Sequence, residues 1–407
     1  MIMRANMLCV ILLALVPCLA HAGAKIGGDG EASLELGYLL QTHYRHASLD
    51  PAEEDGGGGN HDFILRRGRL RLAATLTEDI GMFLQTEATA GMNGGPTVRL
   101  IDAYATLRLS EQATLHAGEH MAPAGREILT SPAAFLAIDR PAMTNYNLTW
   151  GLNARPQFNT TDFTDSDLDL EGQVNVRDIG ATMFGLLSAR EELHLKYYAG
   201  FYEGLEGPGA GAPPRFTARV QLNLLDPEPD YFNLGTYLGE KRTISFGTSV
   251  DLQDDFARDR AEGEDVDYFW WELDLFAELP LGPGSLTVEW LYQVLDLDGA
   301  RELQDEDGGP DALEDARRVE GQGFSVQLGY YLRDIKLQPW LGYESWDTSH
   351  PDDAGGFRAA RLGLNYYLRG HNAKLYAGYE LFLAEEDIAD TDDKTMHTVL
   401  AGVSLYY

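Results

Sequence analysis

Residues 66–76, RRGRLRLAATL, place Arg67, Arg69 and Arg71 on alternate positions, with Leu70, Leu72, Ala74 and Leu76 between and beyond them. A period of two is the signature of a β-strand with one wet face and one greasy face. Arg66 falls on the apolar parity, which either a bulge or a position at a rim would explain. Just upstream, ASLELGYLLQTHY (32–44) repeats the pattern, with Leu34, Leu36, Tyr38, Leu40 and Tyr44 opposing Ser33, Glu35, Gly37, Gln41 and His43. Such a run suits a tilted membrane strand of about 9 to 11 residues better than a globular strand of about 5 or 6.

The alternation recurs in HLKYYAGFY (194–202), FTARVQLNL (216–224) and LTVEWLYQV (286–294). Strands are predicted over 32–45, 61–77, 80–91, 97–109, 113–121, 177–188, 192–203, 215–225, 242–252, 267–279, 285–296, 321–332, 335–345, 357–368, 372–383 and 395–407. The connections alternate long and short, as in bacterial outer-membrane barrels. One connection, 226–241, is long where a short one is due. The expected fold is a sixteen-stranded antiparallel transmembrane β-barrel. A secreted β-sandwich or solenoid competes, but its strands would be shorter, and nothing in it would make loop lengths alternate.

At the N-terminus, Arg4 precedes an apolar run, Met7 to Val16, and Ala20 and Ala22 frame a cleavage site. This predicts a signal peptide over 1–22, with 23–407 as the barrel domain. A lipoprotein reading at Cys18 has Pro17 where a small residue is wanted. Both cysteines, Cys9 and Cys18, lie in the signal. The remainder therefore has no disulfide, thiolate metal site or haem-attachment motif. No later apolar run reaches the roughly 18 residues of a spanning helix.

The formal charge is -33. A chain so acidic is not expected to bind nucleic acid. Ten scattered histidines, and no G-x-S-x-G or H-E-x-x-H motif, give no support to an enzyme, a cofactor or a catalytic metal. His116 and His120 share the inward face of the fifth strand and read as lumen lining. DSDLDLEG (165–172) lacks the glycine and glutamate of a calcium loop. The acidic external loops would bridge divalent cations to lipopolysaccharide, or simply keep the surface soluble.

In a barrel the arginines of the opening stretch must face the lumen, since an Arg facing lipid near the midplane costs about 2 to 4 kcal/mol. The same parity turns Arg215 and Arg219 inward, together with Glu272, Asp274, Glu278, Glu289 and Glu344. Basic and acidic walls would then set up a transverse field, or pair with one another and with an inserted loop. Lys196, Lys336 and Lys374 are inward by parity but scattered. The connection 122–176 is far longer than ordinary loops, and its Ile128, Leu129, Phe135, Leu136, Ile138 and Trp150 need cover. It is expected to fold inward as a constriction loop, bringing Arg126, Asp139 and Arg140 to the ladder of Arg67, Arg69 and Arg71.

FILRRGRLRL, LIDAYATL, HAGEHMAPAGREILTS followed by FLAIDRP, RDIGATMFG, LDPEPDYFNLGTYLGEK and the C-terminal Tyr407 occur in an order that resembles the phosphate-selective porin O/P family of Gram-negative outer-membrane porins. The resemblance implies a homotrimeric barrel with a constriction loop, set in outer-membrane lipid and lipopolysaccharide. It would pass small hydrophilic solutes or ions passively, with anions such as phosphate among them. The arginine ladder carries over. The family's lysine clusters do not, so the acidic total favours cations or weak selectivity. An alternative of another class is a sheath or docking scaffold for a partner protein such as an electron-transfer cytochrome, whose haem would belong to the partner.

Overall fold

The structure, a computed structural model, describes residues 24–26, 32–48, 60–89, 97–144, 177–204, 213–259, 261–304, 316–386 and 393–407. The predicted signal peptide, Trp150, the DSDLDLEG stretch and the acidic run at 305–315 lie outside them.

Sixteen long strands form one antiparallel sheet: β1 Ser33–Ala47, β2 Asn60–Thr75, β3 Ile80–Thr89, β4 Thr97–Ser110, β5 Ala113–Met121, β6 Arg177–Arg190, β7 Leu193–Tyr202, β8 Arg215–Leu225, β9 Thr243–Asp259, β10 Asp265–Leu281, β11 Gly284–Asp296, β12 Gly321–Leu332, β13 Leu337–Thr348, β14 Phe357–Arg369, β15 Ala373–Ala384 and β16 Thr395–Tyr406. Each pairs with its neighbours in sequence, and β16 pairs back onto β1 from Thr398↔Ala47 to Tyr406↔Leu39. The sheet is therefore a closed barrel with no free edge. Two short strands add to it: Ala24–Ile26 pairs with β1, and Leu303–Gln304 pairs with the end of β9. Among the described residues no helix is long and apolar enough to cross a membrane.

The two faces are inverted relative to a soluble protein. Along β8, Arg215 and Arg219 are each 1% exposed, while Phe216, Val220 and Leu222 are 46%, 48% and 37% exposed. Polar side chains fill the inside and apolar ones coat the outside, as lipid demands.

One open reading is decided and two sequence expectations need correction. Arg66 does not sit at a rim: the register jumps from Gln41↔Arg67 to Thr42↔Leu65, so Arg66 is the extra residue of a β-bulge. The bulge turns it inward, where it is 6% exposed. The acidic stretch 254–267, expected as an external loop, is largely β-hairpin, because β9 and β10 continue past a shift between Gln253 and Ala257 to pair Arg258 with Asp265. Lys336 does not face the lumen; it occupies an exposed turn after the 3-10 helix Arg333–Ile335, with a left-handed backbone.

Candidate functional site

Two segments enter the barrel from opposite ends. Residues 122–144 follow β5 from the end with the long loops, where Pro123 stands just past the last paired residue, Met121, and Pro132 starts the 3-10 turn Pro132–Ala134. Residues 226–242 come from the end with the short turns, which explains the connection that broke the length rule. The segments meet at a parallel bridge, Thr130↔Asn233. There the Asn233 amide donates to Leu129 O at 2.9 Å, and the Ser131 amide to Asn233 O at 3.1 Å.

The apolar residues of the first segment find the cover they require. Ile128 and Met143 join Trp270 and Leu291, Leu136 and Ile138 pack on Trp340 and Tyr376, and Leu129 lies with Phe184, Tyr198 and Tyr231. This burial offsets the cost of ordering the loop.

The acidic wall is spent on holding these segments. Glu272 accepts the Arg126 amide at 2.6 Å, and Glu344 accepts the amides of Ala142 at 2.9 Å and Met143 at 2.8 Å. Glu278 takes the amides of Tyr237 at 2.7 Å and Gly239 at 2.6 Å. Carboxylates thus satisfy backbone donors that the turns leave unpaired. A Cβ at Gly125 would fall 2.4 Å from Glu272 Oε2, so a larger residue there would push the Glu272 carboxylate out of its present position against the loop. Two inward lysines act likewise. Lys374 donates to Phe135 O at 3.1 Å, and Lys196 to Asn233 Oδ1 at 3.0 Å.

The remaining wall charges are paired. Arg215 grips Asp251 at 2.8 and 2.6 Å, and Arg219 grips Asp274 at 2.6 and 3.0 Å, with Glu272 at 3.8 Å. Of the three loop residues expected at the ladder, Asp139 and Arg140 reach it and Arg126 does not. Arg126 faces the opposite wall, with Glu228 at 2.8 Å, Glu289 at 3.7 Å and the Phe276 ring centroid at 3.9 Å. The chain crosses from one wall to the other between Arg126 and Asp139, which no pattern in the sequence announces.

At the ladder, Asp139 sits between Arg66 Nε at 2.7 Å and Arg67 Nη2 at 2.8 Å. Burial by itself would raise its pKa, but Arg66 and Arg67 hold the carboxyl well below the usual range. Arg140 packs over Phe135 and donates to the carbonyls of Glu127 and Ile128; burial, then the nearby Arg67, pulls its guanidinium down to about 9. Arg69 makes a two-point bond to Glu87 at 2.8 and 3.0 Å. Arg71 differs from both. Its partners are the Tyr406 hydroxyl and the rings of Phe83 and Tyr406, with centroids at 5.3 and 4.9 Å.

Several residues of this wall were not singled out from the sequence. Gln85 and Glu87 were legible in the alternation of MFLQTEATA, and Arg177 at the start of β6. Asp102, which pairs with Arg177 at 2.9 Å, lies just past the bulged Ile101 of β4, where parity slips. Glu228 lies in a connection that gave no sign of turning inward.

His116 and His120 stack among Tyr104, Tyr202, Phe184 and Tyr231. Their cluster holds the second segment to the wall through Tyr231, whose hydroxyl donates to Met121 O at 2.5 Å. Among the described residues no group of three or more His, Cys, Asp or Glu is placed to hold a metal ion.

Comparison with known proteins agrees with this architecture. An uncharacterized protein of Aquifex aeolicus (strain VF5) is 22% identical over 315 residues, 73% of this chain and 66% of its own length, so the chain spans just under two thirds of that relative. The anion-selective porin from Comamonas acidovorans superposes with a TM-score of 0.57 at 14% identity, covering 93% of this chain and 100% of that one. OmpT, an outer membrane protein of Vibrio cholerae in trimer form, gives 0.50 at 12% identity, covering 93% and 100%. The family model of the phosphate-selective porins O and P matches residues 37–178, from the first strand through the inserted loop, and the described residues have the porin barrel fold.

Proposed function

We propose that the chain is a porin of the Gram-negative outer membrane, a channel through which small hydrophilic solutes and ions diffuse passively, and that it favours anions. The observation that carries the anion preference is the composition of the ladder wall. Arg66, Arg67, Arg69, Arg71, Arg140, Arg177 and Lys374 gather there against the carboxylates Asp139, Glu87 and Asp102. The carboxylates of the opposite wall are engaged by arginines or by loop amides, which ties them to the wall and the inserted segments instead of leaving them free to draw cations. The acidic residues beyond the barrel act through water and salt, where fields decay over about 8 to 10 Å. The lumen charges sit within low-dielectric walls that focus theirs.

The anion-selective character of the Comamonas porin agrees with this reading, and the trimer form of the Vibrio protein supports a homotrimer embedded in outer-membrane lipid and lipopolysaccharide. Channel chemistry needs no catalytic group, so the chain is read as a non-enzyme. A sheath for a cytochrome would need a lumen free of its own chain, whereas residues 122–144 and 226–242 occupy this one. The test is a planar-bilayer recording in a salt gradient. Steady conductance steps with an anion-signed reversal potential are expected. A cation-signed potential would reject the preference, and the absence of steps would reject the channel.

A further inference from the structure

Beside the loop turn at Thr130–Pro132 lies a cavity whose lining mixes basic and apolar groups. Arg69, Arg71 and Arg177 supply the first, and Leu39, Phe83 and Phe232 the second, with Arg71 lying over the Phe83 ring. The carboxylates within reach are already used. Asp102 accepts from Arg177 Nε at 2.9 Å, from its Nη2 at 3.1 Å and from Gln85 Nε2 at 2.6 Å. Glu87 is held by Arg69.

Donors are left over. Arg177 is 4% exposed, and its buried Nη1 has no hydrogen-bond partner among the described residues. Arg71 pairs with no described carboxylate and is held in place by the Tyr406 hydroxyl and two aromatic rings. A buried, unsatisfied guanidinium donor is costly, and an anion is the partner it lacks.

The apolar part of the lining narrows the choice of anion. Inorganic phosphate is hydrated on every face and would lose water against Phe83 and Phe232 with nothing gained. An organic carboxylate places its two oxygens on the guanidiniums and its hydrocarbon body on the rings. We infer that this cavity is a binding station for small carboxylates with an apolar body. The inference rests on the porin reading and names the solute class of the same basic wall.

The experiment records single-channel chloride current through the full chain while benzoate or inorganic phosphate is added. Benzoate should reduce the current at about a tenfold lower concentration than phosphate. Arg71→Ser and Phe83→Ser should each bring benzoate back to the phosphate level, Arg71→Ser with a chloride current lowered by the lost wall charge and Phe83→Ser with the chloride current retained. Their folding is checked by heat-modifiable electrophoretic mobility, and if one fails to fold the other decides. If benzoate is no better than phosphate, or its block survives in the folded variants, the inference falls and the porin reading stands. If no chloride current exists at all, both fall.

Discussion

Thr130 and Asn233, from segments that enter opposite ends of the barrel, lie side by side in a parallel backbone bridge. Each segment therefore supports the other, in addition to what the wall holds. Asn233→Pro removes the amide that donates to Leu129 O, a loss of about 0.5–1.5 kcal/mol for the bond itself, and also the side chain that receives Lys196. The variant is expected to keep the closed strand ladder, seen as unchanged heat-modifiable mobility, yet to show larger and noisier current steps. Quiet steps of parental size would show that the wall anchors suffice.

The ladder arginines should separate by their partners. Removing the carboxylate partner from a buried pair costs about 3 to 5 kcal/mol, because an uncompensated charge stays behind. Asp139→Asn leaves Arg66 and Arg67 in that condition. It should lower the temperature of heat modification and shift the reversal potential further toward anions. Arg71→Ser strands no carboxylate, so it should shift selectivity toward cations at little cost in stability. Equal stability losses in the two variants would contradict the pairing seen here.

Strand periodicity carried the barrel, and the parity of RRGRLRLAATL carried the ladder, because lipid and water impose a strict period of two on every strand. What stayed hidden depended on non-local geometry. The bulge at Arg66 was one of two readings until the register with Gln41 and Thr42 was known. Hydrophobic residues from Ile128 to Ile138 announced that the loop must be covered, but not that Arg126 would face Glu228 while Asp139 faces Arg67. Nor does any local signal show that 226–242 turns inward, since its buried Asn233, Tyr231 and Thr236 look like ordinary turn residues until the barrel surrounds them.

A pH response should come from Glu127, on the inserted loop. Its Oε1 accepts from Gln327 Nε2 at 2.9 Å, and the rest of the carboxyl is buried. Burial pushes this carboxyl above the usual carboxylate range, despite the nearby Arg140 and Arg126, and it lies in hydrogen-bonding contact with the Glu289 carboxyl of β11. Two carboxyls in such contact need a proton between them. A raised folded-state pKa favours the protonated loop in its packed position. That contribution is complete below about 4.5 and is lost as pH rises through the shifted value. Current noise from loop release should therefore increase as pH is raised from about 4.5, and Glu127→Gln should flatten the response. A pH profile unchanged by this variant would remove Glu127 from the account.

The seam of the barrel gives the last prediction. β1 and β16 close through Tyr38 and Tyr407, whose amides donate to each other's carbonyls at 3.0 and 2.8 Å and whose rings stack at 5.7 Å. Gly37 lies beside this contact, and a Cβ there would fall 2.4 Å from Tyr407 O, the atom that accepts the Tyr38 amide, so it cannot move without breaking that bond. Gly37→Val should hold the two strands apart. Because a barrel without its seam exposes two unpaired edges to lipid, the cost extends to the neighbouring ladder bonds. The expected result is a marked drop in folded yield and in the heat-modification temperature, without a change of selectivity in the channels that do form. Gly342→Ala is the control. It too lies in a strand, on β13, but a Cβ there meets nothing nearer than Val326 O at 3.6 Å, so it should fold like the parent. If both variants fold normally, closure does not depend on the approach of Tyr407 to Gly37.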